Sequence, residues 1–274
     1  MRILIFVAVV ANLAIAQNGA PTKVPVKSAV PRASNGKPDL TGVWQPGTTR
    51  RGTWEEANSG NGLGGTGTDA SAPVLPSSTA RQTVEGAPYQ PWAVQRVLES
   101  YKIRAIDDPA ARCVPGGVPR INTQGLFPMK IVQTPREIVM LYEYTNVFRT
   151  IPIDGKHPDD LEPSYLGDAV GRWEGDSLVN DIIGFNEKTW LAGAGTFHTE
   201  SLHITERFTR INQDRIDYEA KMEDPNVFTK PWILHNSLML RVGTRLREYI
   251  CPENEQDLAT YEKLIKEGTD FKRH

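Results

Sequence analysis

From about residue 126 to residue 251 the chain is a succession of short segments rich in apolar, β-branched and aromatic residues. These are MKIVQT, EIVMLYEYTNVFRTIPI, DAVGRWEGDSLVNDIIGF, ESLHITERFTRI, DRIDYEAKME and SLMLRVGTRLREYIC. Turn signals separate them, among them Pro135, Asp154-Gly155, Glu174-Gly175-Asp176, Asn212 and Asp224-Pro225. Strands that follow one another so closely pair as an antiparallel meander, because a parallel sheet needs a crossover connection between them. The pattern predicts a mainly β fold: one antiparallel barrel or strongly curved sheet of about eight strands. An open β-sandwich is the alternative.

The first third of the chain reads differently. Residues 1–16, MRILIFVAVVANLAIA, carry Arg2, an apolar run and an Ala14-Ile15-Ala16 ending, the form of a secretory signal peptide cleaved before Gln17. An uncleaved anchor is the alternative, but the run falls short of the ~20 residues a span needs. No later segment reads as a membrane span, so none is expected in the mature chain. Residues 17–38 are aperiodic and read as a flexible leader. PDLTGVW (38–44) begins ordered structure, and one domain is expected over 39–274. Within it, residues 46–87 form a long Gly/Ser-rich loop. Its GNGLGG (60–65) matches a dinucleotide fingerprint literally, but no strand precedes it and no amphipathic helix follows. No cofactor is therefore expected. Two peripheral helices are predicted: PWAVQRVLESYKI (91–103), with Val94, Val97, Leu98 and Tyr101 on one face, and QDLATYEKLIKEG, with Leu258, Tyr261, Leu264 and Ile265 together.

Charge excludes one class of partner. With 31 basic and 33 acidic residues the net charge is −2, which leaves no excess to bind a phosphate backbone, so no nucleic-acid partner is expected. Export favours a disulfide between the two cysteines, Cys113 and Cys251. Two buried thiols are the alternative. Neither cysteine has a Cys or His near it in sequence, so no zinc site is read.

PDLTGVW, RCVPGGVPR, DGKHP, GDAVGRWEGDSLVNDIIGFN, HTESLHITERFTR, EDPNVFTKPW and EYICPEN together resemble a large group of secreted bacterial hypothetical proteins, over nearly the whole mature chain. That group is similar to lipocalin-like (calycin) barrels. The resemblance implies an interior pocket and a small-molecule ligand. This chain departs from the pattern at Ser177 and Asn180, where Thr and Val are expected, and over Ala192–Phe197.

Strand parity distributes the polar residues, since alternate positions share a face. In 198–210, His198, Glu200, Leu202, Ile204, Glu206, Phe208 and Arg210 share one face, and its apolar members point it inward. Glu206 then sits between Ile204 and Phe208. A buried carboxylate is costly unless paired. Three explanations stand: an ion pair with an arginine of a neighbouring strand, a general acid/base of raised pKa, or a bulge that turns it outward. In 178–185, Asp181 shares a face with Val179, Ile183 and Phe185, and Asn180 with Leu178 and Ile182. If Asp181 also points inward, the two carboxylates line one cavity and can divide acid and base roles. His198 is a candidate general base or a surface histidine at a strand end. His198 and His203 fall on opposite faces, which disfavours a metal pair, and none is assigned. Tyr142, Tyr144 and Phe148 on one strand, with Phe185 and Tyr218, are candidate ligand-binding walls; core packing is the alternative.

Two functions follow. The first is an exported carrier that binds a small, partly apolar molecule in the barrel interior. The second is a cofactor-free acid/base enzyme (a lyase, isomerase or hydrolase) using His198, Asp181 and Glu206. A purely structural or protein-interaction module is the third possibility.

Overall fold

A computed structural model describes residues 29–47, 87–102, 107–123, 127–192, 195–254 and 257–268. The segment expected to be a signal peptide, and most of the expected leader and Gly/Ser-rich loop, lie outside these. Of the leader, residues 29–38 are placed: Arg32 bridges to Pro38, and its guanidinium holds Asp176 at 2.5 and 2.7 Å. The segment read as a flexible leader is thus anchored before residue 38.

Nine antiparallel strands form one sheet. They are β1 (Gly42–Pro46), β2 (Met129–Gln133), β3 (Glu137–Tyr142), β4 (Phe148–Pro152), β5 (Asp168–Glu174), β6 (Ser177–Ile183), β7 (His203–Arg210), β8 (Arg215–Glu223) and β9 (Trp232–Leu240). Their order is β4-β3-β2-β1-β9-β8-β7-β6-β5, so each strand pairs with its sequence neighbours except at β4 and β5, the two edges, and β1 closes on β9 through Trp44↔Leu240. This is a nearly closed up-and-down barrel, as the strand pattern predicts. The break lies between β4 and β5. Among the described residues these edges meet only through a parallel bridge from Ile153 to Gly171, where Asp154 N–H donates to Gly171 O at 2.7 Å. The packing against Gly171 is tight. A Cβ on Gly171 would lie 3.0 Å from Ile151 Cγ2 and 3.1 Å from Ile153 Cδ1.

The barrel is filled by its own side chains. Trp44, Met129, Met140, Phe185, Phe208 and Tyr218 are each less than 2 % exposed. At one end Arg210 lies with its guanidinium 5.2 Å from the Trp44 ring and donates to the carbonyls of Asp39 and Gln213. The parity expected for β7 holds: Ile204, Glu206, Phe208 and Arg210 are buried, and the residues between them are half-buried.

Among the described residues three α-helices accompany the barrel: α1 (Pro91–Lys102), α2 (Cys251–Asn254) and α3 (Asp257–Lys266). In α1 the deepest residues are Ala93 and Val97, with Val94 and Leu98 beside the core. Gly268, at φ +84°, follows α3 as a C-terminal cap would. None of the described helices is long and apolar enough to cross a membrane. Cys113 and Cys251 are joined in a disulfide that spans 138 positions and fastens α2 to the segment before β2.

Two strand expectations are corrected. The segment 137–153 is a hairpin, not one strand. β3 ends at Tyr142, and Thr145 and Asn146 both take positive φ in the turn. Phe148 therefore emerges 64 % exposed, away from Tyr142. The last strand ends at Leu240 and starts at Trp232, ahead of the segment expected. Trp232, Leu234, Asn236 and Leu238 are its buried face, and Gly243 at φ +74° follows it in a turn.

Candidate functional site

The register of the sheet brings Gly171, Asn180, Glu206, Ala220 and Leu234 into one row across β5 to β9. Small residues stand on either side of the polar pair Asn180–Glu206. They leave room for a side chain from across the barrel, and Arg149 of β4 takes it. Arg149 Nη2 donates to Glu206 Oε2 at 2.9 Å, with both side chains 3 % exposed or less.

Glu206 has three further donors. Asn122 Nδ2 lies 2.6 Å and the Tyr218 hydroxyl 2.8 Å from Oε1, and Asn180 Nδ2 lies 3.3 Å from Oε2. Asn122 also accepts from the Tyr142 hydroxyl at 2.9 Å. It comes from the segment 107–123, which is pinned by a buried pair: Arg120 donates to both oxygens of Asp108 at 2.6 and 2.7 Å. A carboxylate removed from water needs this many partners. Of the three readings of Glu206, the ion pair with an arginine is the one found.

Electrostatics follow the geometry. Burial pushes the Tyr142 hydroxyl up to about 12, and burial with the Glu206 charge raises Tyr218 well above its ordinary value. Burial works against the charge of Arg149, but the Glu206 carboxylate outweighs it and raises its pKa. The cluster is incomplete in one respect. Nε and Nη1 of Arg149 and Oδ1 of Asn180 are buried with no hydrogen-bond partner.

A hollow of about 400 Å³ opens at the gap between β4 and β5 and includes Arg149 in its lining. Pro115, Val147, Phe148, Leu166 and Ala169 are its apolar walls, and Asn146, Thr150, Ser164, Tyr165 and Asp168 its polar ones. A second hollow of about 430 Å³ lies over β7, β8 and β9. The charges there pair with one another, Arg215 with Asp217 at 2.7 Å and His235 with Glu219 at 3.5 Å.

Asp181 is a correction. It lies on the outer face, about one third exposed, and does not share a cavity with Glu206. Parity was misled because Val179 is fully buried although it faces outward, flanked in register by the long side chains of Arg172 and Arg207. Phe185 does turn inward, because Gly184 at φ +72° resets the alternation. Asp181 instead bridges two histidines: His203 Nε2 at 2.6 Å and His157 Nε2 at 3.2 Å, with His157 Nδ1 on Asp168 at 2.6 Å. His157 is thus engaged by two carboxylates. Partial burial raises the Asp181 carboxyl, but the hydrogen bonds from His203 and His157 outweigh it and hold it below its ordinary value. Among the described residues no group of three or more His, Cys, Asp or Glu side chains is placed to hold a metal ion.

His198 is inward, 1 % exposed, but it precedes β7 rather than lying on it. Its Nδ1 faces the Thr199 carbonyl at 3.0 Å and its Nε2 the Thr189 hydroxyl at 2.8 Å. This assigns the proton to Nδ1, with Nε2 accepting from Thr189. Burial lowers its pKa, keeping the ring neutral. The edge of the Phe185 ring meets it, with centroids 5.9 Å apart.

Of the aromatic candidates, Tyr142 and Tyr218 serve the Glu206 cluster and Phe185 packs on His198. Tyr144 is elsewhere: its hydroxyl donates to Ala110 O at 2.8 Å and its ring packs with Phe127 and Tyr249. None of the four lines the gap between β4 and β5. Sequence reasoning missed Arg149 and Asn122 and left Asn180 unassigned. Arg149 was findable, because it shares parity with Val147, Ile151 and Ile153. Asn122 sits in a turn-rich segment where no periodicity applies.

No family model matches the chain, and no curated protein matches it. Among solved structures it is similar to a mutant of the fluorescent protein UnaG, at 10% identity and a TM-score of 0.26, over 53% of this chain and 89% of that one. A likeness at that TM-score carries no argument about what this chain binds or does.

Proposed function

We propose that this is an exported carrier that binds a small, partly apolar molecule in the hollow between β4 and β5, with its polar end directed at Arg149. The carrying observation is a hollow at the break in the barrel wall, with Arg149 of the edge strand β4 among its lining residues. A volume of about 400 Å³ whose lining mixes apolar residues with polar ones is suited to a small, partly apolar ligand. The disulfide supports an oxidising compartment, the periplasm or the outside of the cell.

The acid/base reading has less support. Glu206 already accepts from four side chains, Asp181 lies on the other face of the barrel wall, and both ring nitrogens of His198 are engaged. The test is binding of the neutral dye Nile red, followed by fluorescence, to the full chain and to Thr150→Trp. Thr150 lines the mouth from the exposed side of β4, so a large ring there blocks entry without entering the core. Saturable binding lost in Thr150→Trp is expected. Binding that the variant leaves unchanged, or none at all, overturns the proposal.

A further inference from the structure

We infer that residues 154–167, which join β4 to β5, form a strap that His157 holds against β6 only while both of its ring nitrogens carry protons, so that the strap lets go of the barrel wall as pH rises. This stands apart from the carrier reading, although the far end of the strap, residues 164–167, forms one side of the hollow.

The strap is fastened at its two ends. At the first, Ile153 N–H donates to Arg136 O at 2.8 Å and Asp154 N–H to Gly171 O at 2.7 Å. At the second, Ser164 N–H donates to Gly184 O at 2.9 Å and Asn186 N–H to Ser164 O at 2.8 Å. Between them, residues 155–163 make no backbone hydrogen bond to a strand among the described residues. Leu161 lies half-buried over Gly184, where a Cβ would come within 2.9 Å of its Cγ. The polar attachments of this stretch are those of His157.

Its ring protons set the condition. Nδ1 lies 2.6 Å from Asp168 Oδ1 and Nε2 3.2 Å from Asp181 Oδ2. An ionised carboxylate only accepts, and a neutral imidazole carries one N–H. A neutral ring therefore serves one carboxylate and turns a lone pair on the other, whereas an imidazolium serves both. The two contacts are not equivalent. Asp168 begins β5, directly after the strap, but Asp181 is on β6. When one proton stays with the shorter contact, the tie to β6 is the one lost. His203 differs. Its Nε2 donates to Asp181 Oδ1 at 2.6 Å, while its Nδ1 lies 3.9 Å from Glu223. One ring proton is enough there, so a neutral ring keeps its bond.

No other group takes over the tie. Among the described residues, histidines are the only cations paired with Asp168 or Asp181. Beyond them on β8, Lys221 is held by Glu223 at 2.7 Å. On the strap itself Lys156, Asp159 and Asp160 are exposed. Partial burial raises the Asp181 carboxyl, but the hydrogen bonds from His203 and His157 hold it below its ordinary value. It is thus an ionised acceptor wherever a histidine titrates.

Hydrogen exchange of the full chain, read by NMR at about pH 5.5 and about pH 8.5, brackets the ordinary histidine value. Protection factors divide out the intrinsic rise of exchange with pH. Those of the Ser164 and Asn186 amides are expected to fall about tenfold from the lower pH to the higher, while those of β8 do not fall. In His157→Ala their protection is low at both values, with β8 reporting an intact fold; in His203→Gln the fall with pH remains. Protection in the native chain that does not change with pH overturns the inference, as does a fall that persists in His157→Ala. A fall abolished by His203→Gln overturns it as well, because the proton then belongs to the other ring.

Discussion

Arg149 and Glu206 meet inside the barrel at 2.9 Å, the first from the edge strand β4 and the second from the middle of β7. No ladder among the described residues joins β4 to β5, so this pair ties the open edge to the far wall by side chains.

Glu206→Gln leaves the guanidinium buried without its counter-charge. A loss of about 3–5 kcal/mol in unfolding free energy is expected, measured by urea denaturation. The double variant Glu206→Gln, Arg149→Met removes both charges and should recover a large part of that loss. A double variant no more stable than the single would mean that the pair is not the source of the effect.

His198 makes stability depend on pH. Its folded pKa lies below the ordinary 6.5 because burial disfavours the charged ring. Between that ordinary value and the lowered one, the unfolded chain binds the proton and the folded chain does not. Stability from this group is therefore present above 6.5 and lost as pH falls through the folded value. Urea midpoints taken at descending pH should fall more steeply in the native chain than in His198→Gln. Parallel profiles would exclude the ring as the source.

Asp181 tests the outer cluster. Its carboxyl is held low by His203 and His157 against a burial effect of opposite sign. In the double variant His157→Gln, His203→Gln the burial effect alone remains, and carboxyl-detected NMR should find Asp181 titrating above its native value. In the native chain, stability from this carboxylate is present above its ordinary pKa and is lost as pH falls through the lowered one. An unchanged titration in the double variant would contradict the hydrogen-bonded arrangement.

The disulfide between Cys113 and Cys251 closes a loop across 138 positions. Chain entropy assigns such a closure about 5 kcal/mol. The double variant Cys113→Ala, Cys251→Ala is expected to lose about 3–5 kcal/mol in urea, with α2 and the segment 107–123 losing amide protection first. Uniform loss of protection would argue against this local role.

The barrel was legible because alternation and turn residues are local. β7 followed parity residue by residue, and the disulfide followed from the expected export and the cysteine count. Errors arose where a local rule was broken by one residue or by a distant one. Positive φ at Thr145 and Asn146 folded one apparent strand into a hairpin, and Gly184 shifted the parity of Phe185. The outward yet buried Val179 reversed the assignment of Asp181. Parity placed Glu206 correctly, but its partners come from β4, β6, β8 and the segment 107–123, and such pairing across a barrel leaves no trace in spacing.

A closed barrel has no strand edges, but this one keeps two, and an exposed edge is a template on which another chain can build. β4 carries features that discourage this. Pro152 brings no amide hydrogen, and Arg149 points a charge inward from the edge itself. A strand added beside β4 would have to settle against that guanidinium and the Ile153–Gly171 bridge at once. The border of the sheet is thus a poor place for a second copy to dock, so a gap in the barrel wall need not become a starting point for a fibre.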